Sequence, residues 1–250
     1  MSVLTLVTGA TSGIGQATVR ALIAKGGRVA AIGRDNRALD ALQAECGDAL
    51  GVYMADLLVV EGIHALVNQV REAQGPVGGL VNAAGVIASG AIADTSDADF
   101  RRMMELNVSA PYALMRECHS DLASIDNAAV VNVSSVTGLR PFPGLSAYCV
   151  SKAALDHLTR CAAIEWAPDG IRVNAVNPGV VRTNLHRRGG MDEVAYAAFL
   201  ERTVGAHPLG RIGEPEEVAH VIVSLLSPDM GWIMGETIAI DGGRHLTAAR

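Results

Sequence analysis

Leu4-Thr5-Leu6-Val7-Thr8-Gly9-Ala10-Thr11-Ser12-Gly13-Ile14-Gly15 decides the fold of this chain. A short apolar run breaks into three glycines and then into Gln16-Ala17-Thr18-Val19-Arg20-Ala21-Leu22, whose apolar residues recur at helical spacing. In a strand–loop–helix of this kind Gly9 allows a tight turn, and Gly13 lets the backbone approach a pyrophosphate. Gly15 lets the helix pack closely on the sheet, and the free amides at the helix start meet the anion. Three glycines alone are only a flexible turn; their position after a first strand and before a helix gives them meaning. No Gly-Lys-Ser/Thr follows, so this is not a Walker loop.

Beyond the loop, short β-branched runs alternate with longer amphipathic ones, the pattern of βαβ units and a parallel sheet. Strands are predicted near 3–8, 28–33, 50–55, 78–82, 128–133, 171–176 and 236–240. Helices are predicted over 13–25, 35–46, 59–73, 97–123, 146–167, 191–203 and 214–226. Gly26-Gly27 and Gly47 stand where helices end, and Pro215-Glu216-Glu217 suits a first turn. Continuous apolar runs such as Val29-Ala30-Ala31-Ile32 belong to strands buried on both faces. The expected fold is α/β: a single Rossmann-type doubly wound sheet of seven mainly parallel strands with helices on both faces. Ligands then lie beyond the carboxyl ends of the strands. With no linker or low-complexity tract dividing it, residues 1–250 read as one dinucleotide-binding and catalytic domain.

Half of the residues are hydrophobic but only 4% aromatic, so the core is aliphatic. A net charge of −6 without a basic cluster argues against nucleic acid, Arg187-Arg188 being too short for a patch. Met1-Ser2 leads directly into a strand with no leader pattern, and no apolar run approaches a membrane span. Cys46, Cys118, Cys149 and Cys161 lack Cys-x-x-Cys spacing and read as thiols of a reducing compartment. A soluble cytoplasmic protein is expected. The seven histidines form no His-x-x-x-His pair and no metal site is expected; no Gly-x-Ser-x-Gly elbow points to a hydrolase.

Tyr148 and Lys152 stand one turn apart in the predicted helix 146–167 and share one of its faces. A phenol with a pKa of about 10 is a poor base near neutrality, and an ammonium beside it is expected to lower that value. Of twenty basic residues eighteen are Arg and two are Lys, so a compact ammonium stands at 152 where the chain elsewhere uses guanidinium.

Together, the glycine spacing Gly9-x-x-x-Gly13-x-Gly15 and the Tyr148-x-x-x-Lys152 step resemble the classical short-chain dehydrogenase/reductase family over essentially the whole chain. Further marks fall in order: Asn82-Ala83-Ala84-Gly85, Asn107, Ser134-Ser135, and Asn177-Pro178-Gly179-Val180-Val181-Arg182-Thr183. The family's usual Asn-Asn-Ala-Gly departs here to Asn-Ala-Ala-Gly. The resemblance implies that Ser135 bonds the substrate oxygen and that Tyr148 is the general acid/base. It also implies that Lys152 lowers the Tyr148 pKa and holds the nicotinamide ribose, and that Asn107 holds a water beneath Lys152. Gly9, Thr11, Ser12, Gly13, Ile14, Gly15, Arg34, Asp56, Leu57, Asn82, Ala83, Gly85, Tyr148, Lys152, Pro178, Gly179, Val181 and Thr183 would bind the cofactor.

Strand two ends in Gly33-Arg34 where an acid would hold the ribose of NAD; a guanidinium there suits the 2′-phosphate of NADP. NADP(H) is favoured, with NAD(H) open through Asp35. Asp56 matches an adenine contact and also an N-cap. The implied activity is hydride transfer between NADP(H) and a small-molecule carbonyl or secondary alcohol. Alternatives are a 3-oxoacyl thioester reductase, an NAD-dependent alcohol or sugar dehydrogenase, and a non-catalytic dinucleotide sensor. A nucleotide-sugar epimerase would carry a further substrate domain.

Val136, Leu139, Phe142 and residues 184–209 are expected to line the substrate space, with Gly189-Gly190 as a hinge for a lid over 191–204. The lining reads as apolar; Arg140 or Arg182 is the candidate for holding a substrate carboxylate, but both read first as solvated. The expected substrate is a ketone or secondary alcohol without a strong charge, with 3-oxoacyl thioesters and sugars open. Small residues in helix 146–167, with the family resemblance, point to a homotetramer built through the two long helices and 236–240.

Overall fold

The computed structural model describes residues 3–247; the outermost residues of the predicted 1–250 unit lie outside the described residues. Seven strands form one sheet in the order β3-β2-β1-β4-β5-β6-β7: β1 (Leu4–Thr8), β2 (Arg28–Gly33), β3 (Leu50–Met54), β4 (Val77–Asn82), β5 (Ala129–Val133), β6 (Arg172–Pro178) and β7 (Thr237–Ile240). All six pairings are parallel. Strand order reverses between β1 and β4, and a crevice for a ligand opens at such a switch point.

Helices cover both faces because each buried strand sends alternate residues to opposite sides. On one face Leu4, Leu6, Ala30, Ile32 and Val130 pack with α3 (Ile63–Gln74), α5 (Ala110–Leu122) and α7 (Ser146–Trp166). On the other, Val7, Val29, Ala31 and Val131 meet Val19 and Leu22 of α1 (Gly13–Ala24), Leu39 and Leu42 of α2 (Asn36–Cys46), and Val218 and Ile222 of α10 (Pro215–Leu226).

One predicted helix, 97–123, is not continuous. It comprises α4 (Asp97–Met104), a π-helical turn at Glu105–Ser109, and α5. Pro111 explains the break: without an N–H it cannot serve the carbonyl four residues back, at Asn107, so the α-helical ladder does not run unbroken through this point. Two short helices, α6 (Val136–Leu139) and α8 (Leu185–Arg188), stand where loops were expected, and α9 (Glu193–Val204) completes the helical elements. Among the described residues no helix is long and apolar enough to cross a membrane, and no group of His, Cys, Asp or Glu is arranged to hold a metal.

The switch point is built on close contact. Gly9 has φ +66, and a Cβ there would lie 2.9 Å from the Ala83 carbonyl oxygen and 2.9 Å from the Ala84 nitrogen. The Thr8 hydroxyl accepts from both the Ala83 and Ala84 amides at 3.0 Å. Gly9→Ala is expected to cost about 2–4 kcal/mol, from left-handed backbone and overpacking together. A urea midpoint equal to that of the wild type would contradict this packing.

Candidate active site

Loops at the carboxyl ends of β1, β4, β5 and β6 enclose a groove of about 840 Å³, open to solvent. Gly9, Ser12, Gly13, Ile14 and Gly15 form one wall, Ala83, Ala84 and Gly85 another, and Ser135, Tyr148, Lys152, Pro178, Gly179, Val181 and Thr183 the rest. A second hollow of about 440 Å³ continues from it, lined by Thr11, Gly33, Arg34, Asp56 and Leu57. Gly9, Ala84, Gly85 and Arg188 border both. Residues scattered from 9 to 188 thus share one elongated cleft.

The phosphate end is prepared electrostatically. Helix α1 starts beside the groove with no acidic residue in its first turn and no side chain capping it, so its amides and the positive end of its dipole are uncompensated. Gly13 lines the groove, and a Cβ there would meet the Thr183 side chain at 2.9 Å. The second hollow is shaped by Gly33, where an added Cβ would collide with the Thr11 methyl unless Thr11 moved. Arg34 is exposed and makes no hydrogen bond or ion pair among the described residues. Asp35 is occupied, its carboxylate accepting from the Ala38 amide at 3.1 Å as the cap of α2. Asp56 accepts from the Leu58 amide at 3.1 Å, so its capping role stands beside its place in the hollow.

Tyr148 and Lys152 both point into the groove from α7, and both are buried. Lys152 Nζ donates to the Val133 carbonyl at 2.9 Å and lies 5.8 Å from the centre of the Tyr148 ring. Burial pulls this ammonium down to about 8, with Asp156 opposing. Burial also pushes the Tyr148 phenol up to about 12, while a hydrogen bond from Ser135 pulls the other way. The net shift of the phenol is therefore upward rather than the expected lowering, because desolvation outweighs the other influences on it. At neutral pH the phenol carries its proton.

Ser135 lies two residues past β5 and caps α6, its hydroxyl accepting from the Thr137 amide at 3.2 Å. Two predicted site residues stand behind the groove rather than in it. Asn82 donates to Asn132 Oδ1 at 2.8 Å, and Asn132 donates in turn to the Thr159 hydroxyl at 2.9 Å, within a buried layer joining β4, β5 and α7. Asn107, on the π-helical turn, accepts from the Val86 amide at 2.9 Å and donates to the Val86 carbonyl and the Ser151 hydroxyl, each at 3.0 Å. It thereby fixes Gly85, where a Cβ would sit 3.3 Å from Asn107 Oδ1 and 3.6 Å from Lys152 Nζ.

The lid is tied down at one end. Gly190 has φ +97 ahead of α9, and Tyr196, on that helix, donates to the Thr183 carbonyl at 3.0 Å. Arg187 stacks on Tyr196 at 4.0 Å and pairs with Glu193 at 2.6 Å, whereas Arg188 borders the groove. His186 and Arg188 line the groove within the 184–209 stretch expected to do so, though neither was singled out; Thr8 was missed. The Arg187-Arg188 pair was visible, but α8, which sends the two side chains different ways, was not. Of the two arginines read as solvated, Arg182 pairs with Glu214 at 3.1 Å on the surface, while Arg140 is only half-exposed.

The family model described as enoyl-(acyl carrier protein) reductase matches residues 9–245. The chain is 36% identical to galactitol 2-dehydrogenase (L-tagatose-forming) of Cereibacter sphaeroides, covering 95% of this chain and 92% of that one. It is 37% identical to human L-xylulose reductase, covering 95% and 94%. A solved structure, ElxO with NADP bound, superposes with a TM-score of 0.90 at 29% identity, covering 99% and 100%. Sheet order, groove and similarity define a dehydrogenase of the Rossmann type. The chain belongs to the short-chain dehydrogenase/reductase family.

Between pH 8 and 10.5 the folded chain has lost the Lys152 proton that the unfolded chain still holds, so this residue makes stability rise with pH across that window. The unfolding free energy of the wild type minus that of Lys152→Met is expected to grow by about 3 kcal/mol over it, at about 1.4 kcal/mol per unit. Urea unfolding at several pH values measures the difference, and a flat result would contradict the buried ammonium.

Proposed function

We propose that this chain is an NADP(H)-dependent oxidoreductase that interconverts a carbonyl compound and its secondary alcohol, acting as one dinucleotide-binding and catalytic unit. The observation that carries the reading is the convergence of Tyr148, Lys152 and Ser135 on the same groove as the glycine loop and the uncapped start of α1. That groove fits a dinucleotide on its own terms: the uncapped amides at the start of α1 stand beside it, and Gly9, Gly13, Gly15 and Gly85 bring bare backbone to its walls. When bound, the nicotinamide supplies or takes the hydride. Relatives named for the oxidation or reduction of polyols and sugars support the reaction class.

In reduction the Ser135 hydroxyl holds the substrate oxygen, and the neutral Tyr148 phenol gives that oxygen its proton. The phenolate left behind is buried beside Lys152, which offsets its charge and holds the nicotinamide ribose. Asn107 has its side chain committed to Val86 and Ser151, so a water of the proton path is held by its backbone carbonyl, which Pro111 cannot serve. Arg34, free among the described residues, faces a 2′-phosphate while Asp35 is spent on its helix cap. A reducing cytoplasm suits the four cysteines, free in the structure. Exposed Tyr112, Val150, Ile164 and Trp232 support a homotetramer.

Tyr148→Phe is expected to reduce kcat by at least about a hundredfold while NADPH affinity, read by fluorescence titration, changes little. Turnover near the wild-type level would remove the phenol from the reaction. Arg34→Ala is expected to weaken NADPH about tenfold or more relative to NADH, as the loss of a charge-assisted contact implies. Equal losses for both would exclude a phosphate contact.

A further inference from the structure

Arg244 is a buried cation that forms no ion pair among the described residues. It opens the turn Arg244–Leu246 after β7 and is only 8% exposed. Its Nε and Nη1 groups are closed off from solvent and find no acceptor among the described residues. The carboxylate nearest in sequence, Asp241, is already engaged: it accepts from the Gly243 amide at 3.0 Å, the His245 amide at 2.7 Å and the His245 ring at 2.9 Å. The Arg244 guanidinium carbon lies 5.1 Å from the centre of the Phe142 ring. A second cation, Arg140, lies 5.0 Å from the same ring. Among the described residues Arg140 bonds only the neutral Thr247 carbonyl.

Two guanidiniums share one phenyl ring with no acid between them among the described residues; burial and Arg140 push the Arg244 pKa down, with Asp241 opposing. Stacking on a ring is a weak attraction. Burying an unpaired charge costs more than that attraction returns. The stack therefore does not balance the burial, and an anion would.

Neither guanidinium lines the groove itself, but the chain links the cluster to its reacting end. Arg140 directly follows α6, which Ser135 caps, and the Phe142 amide donates to the sulfur of Cys149, the neighbour of Tyr148. His186, which lines the groove from α8, feels the Arg244 charge.

We propose that Arg244 and Arg140 form an anion subsite at the substrate end of the groove and that the substrates are oxo and hydroxy acids, bound through a carboxylate or phosphate while their carbonyl lies between Ser135 and Tyr148. This replaces the expectation of an uncharged substrate, and it rests on the proposed activity only for the position of the carbonyl.

Calorimetric titration at low ionic strength, without dinucleotide, tests the subsite with succinate and inorganic phosphate as probes; the stronger binder identifies the anion. Saturable binding of at least one is expected. It should weaken about ten- to a hundredfold in Arg244→Met and in Arg140→Gln, as loss of a charged hydrogen bond implies, and survive better in Arg244→Lys. Arg140→Gln, at a half-exposed position, carries the test should Arg244→Met not fold. A series of 2- to 5-oxo acids, each against its methyl ester, is then followed at the reduced-nicotinamide band. The acid should be preferred by about tenfold or more in kcat/KM, a factor set by a charged contact, and Arg244→Met should erase that preference. Absence of saturable binding to the wild type, or binding unchanged in the variants, would overturn the subsite. So would a fall in oligomeric mass by light scattering in Arg244→Met, since the guanidiniums would then hold a carboxylate of a second copy. Anion binding without turnover of any carbonyl would keep the subsite and overturn the oxidoreductase reading instead.

Discussion

The contact between the ends of β1 and β4 governs the rest of the structure. Thr8 holds the Ala83 and Ala84 amides with one hydroxyl, and Gly9 lies so close to the same backbone that no side chain fits between them. This contact turns a reversal of strand order into a groove of fixed width. The amides of α1 then face one side of that groove, and Gly85 the other. Glycine is required because the backbone is left-handed at Gly9 and the opposing surface is itself backbone, which has no flexible end to yield.

Behind the groove runs a layer of buried polar side chains. Asn82, Asn132 and Thr159 link β4 to β5 and α7, and Asn177 donates to Asp156 at 2.9 Å, tying β6 to the same helix. A buried polar group is tolerated only when partnered, so each such bond fixes where α7 sits relative to the strand ends. Tyr148 and Lys152 inherit their positions from that registration. Asn107 extends the layer from the π-helical turn to the Gly85 loop, by a bond to Val86 on one side and to Ser151 of α7 on the other.

Burial sets the proton chemistry more than proximity does. Tyr148 and Lys152 have their pKa values pushed apart, the phenol up to about 12 and the ammonium down to about 8, because each is most stable uncharged when removed from water. The result is a phenol that keeps its proton at neutral pH beside an amine that loses its own with little cost. Arg244 is subject to the same penalty but cannot shed its charge near neutrality, which is why its isolation draws attention to the surface around Phe142.

The sequence by itself determined the parallel sheet, the side of it where ligands gather, and the pairing of Tyr148 with Lys152, because these follow from local spacing: alternation of apolar runs, glycines between a strand and a helix, and one helical turn. It also carried a sign of the interruption near Asn107, in Pro111, that the reading of one long helix passed over. What only the tertiary structure decided was how far each group is from water and what else competes for it. The 97–123 helix splits at its π-helical turn, Asn82 faces a buried layer instead of the groove, Lys152 spends its bond on Val133, and Arg140 and Arg244 meet over one ring from positions a hundred residues apart. Desolvation and hydrogen-bond competition depend on every neighbour in space, and neighbours in space are what a linear pattern does not encode.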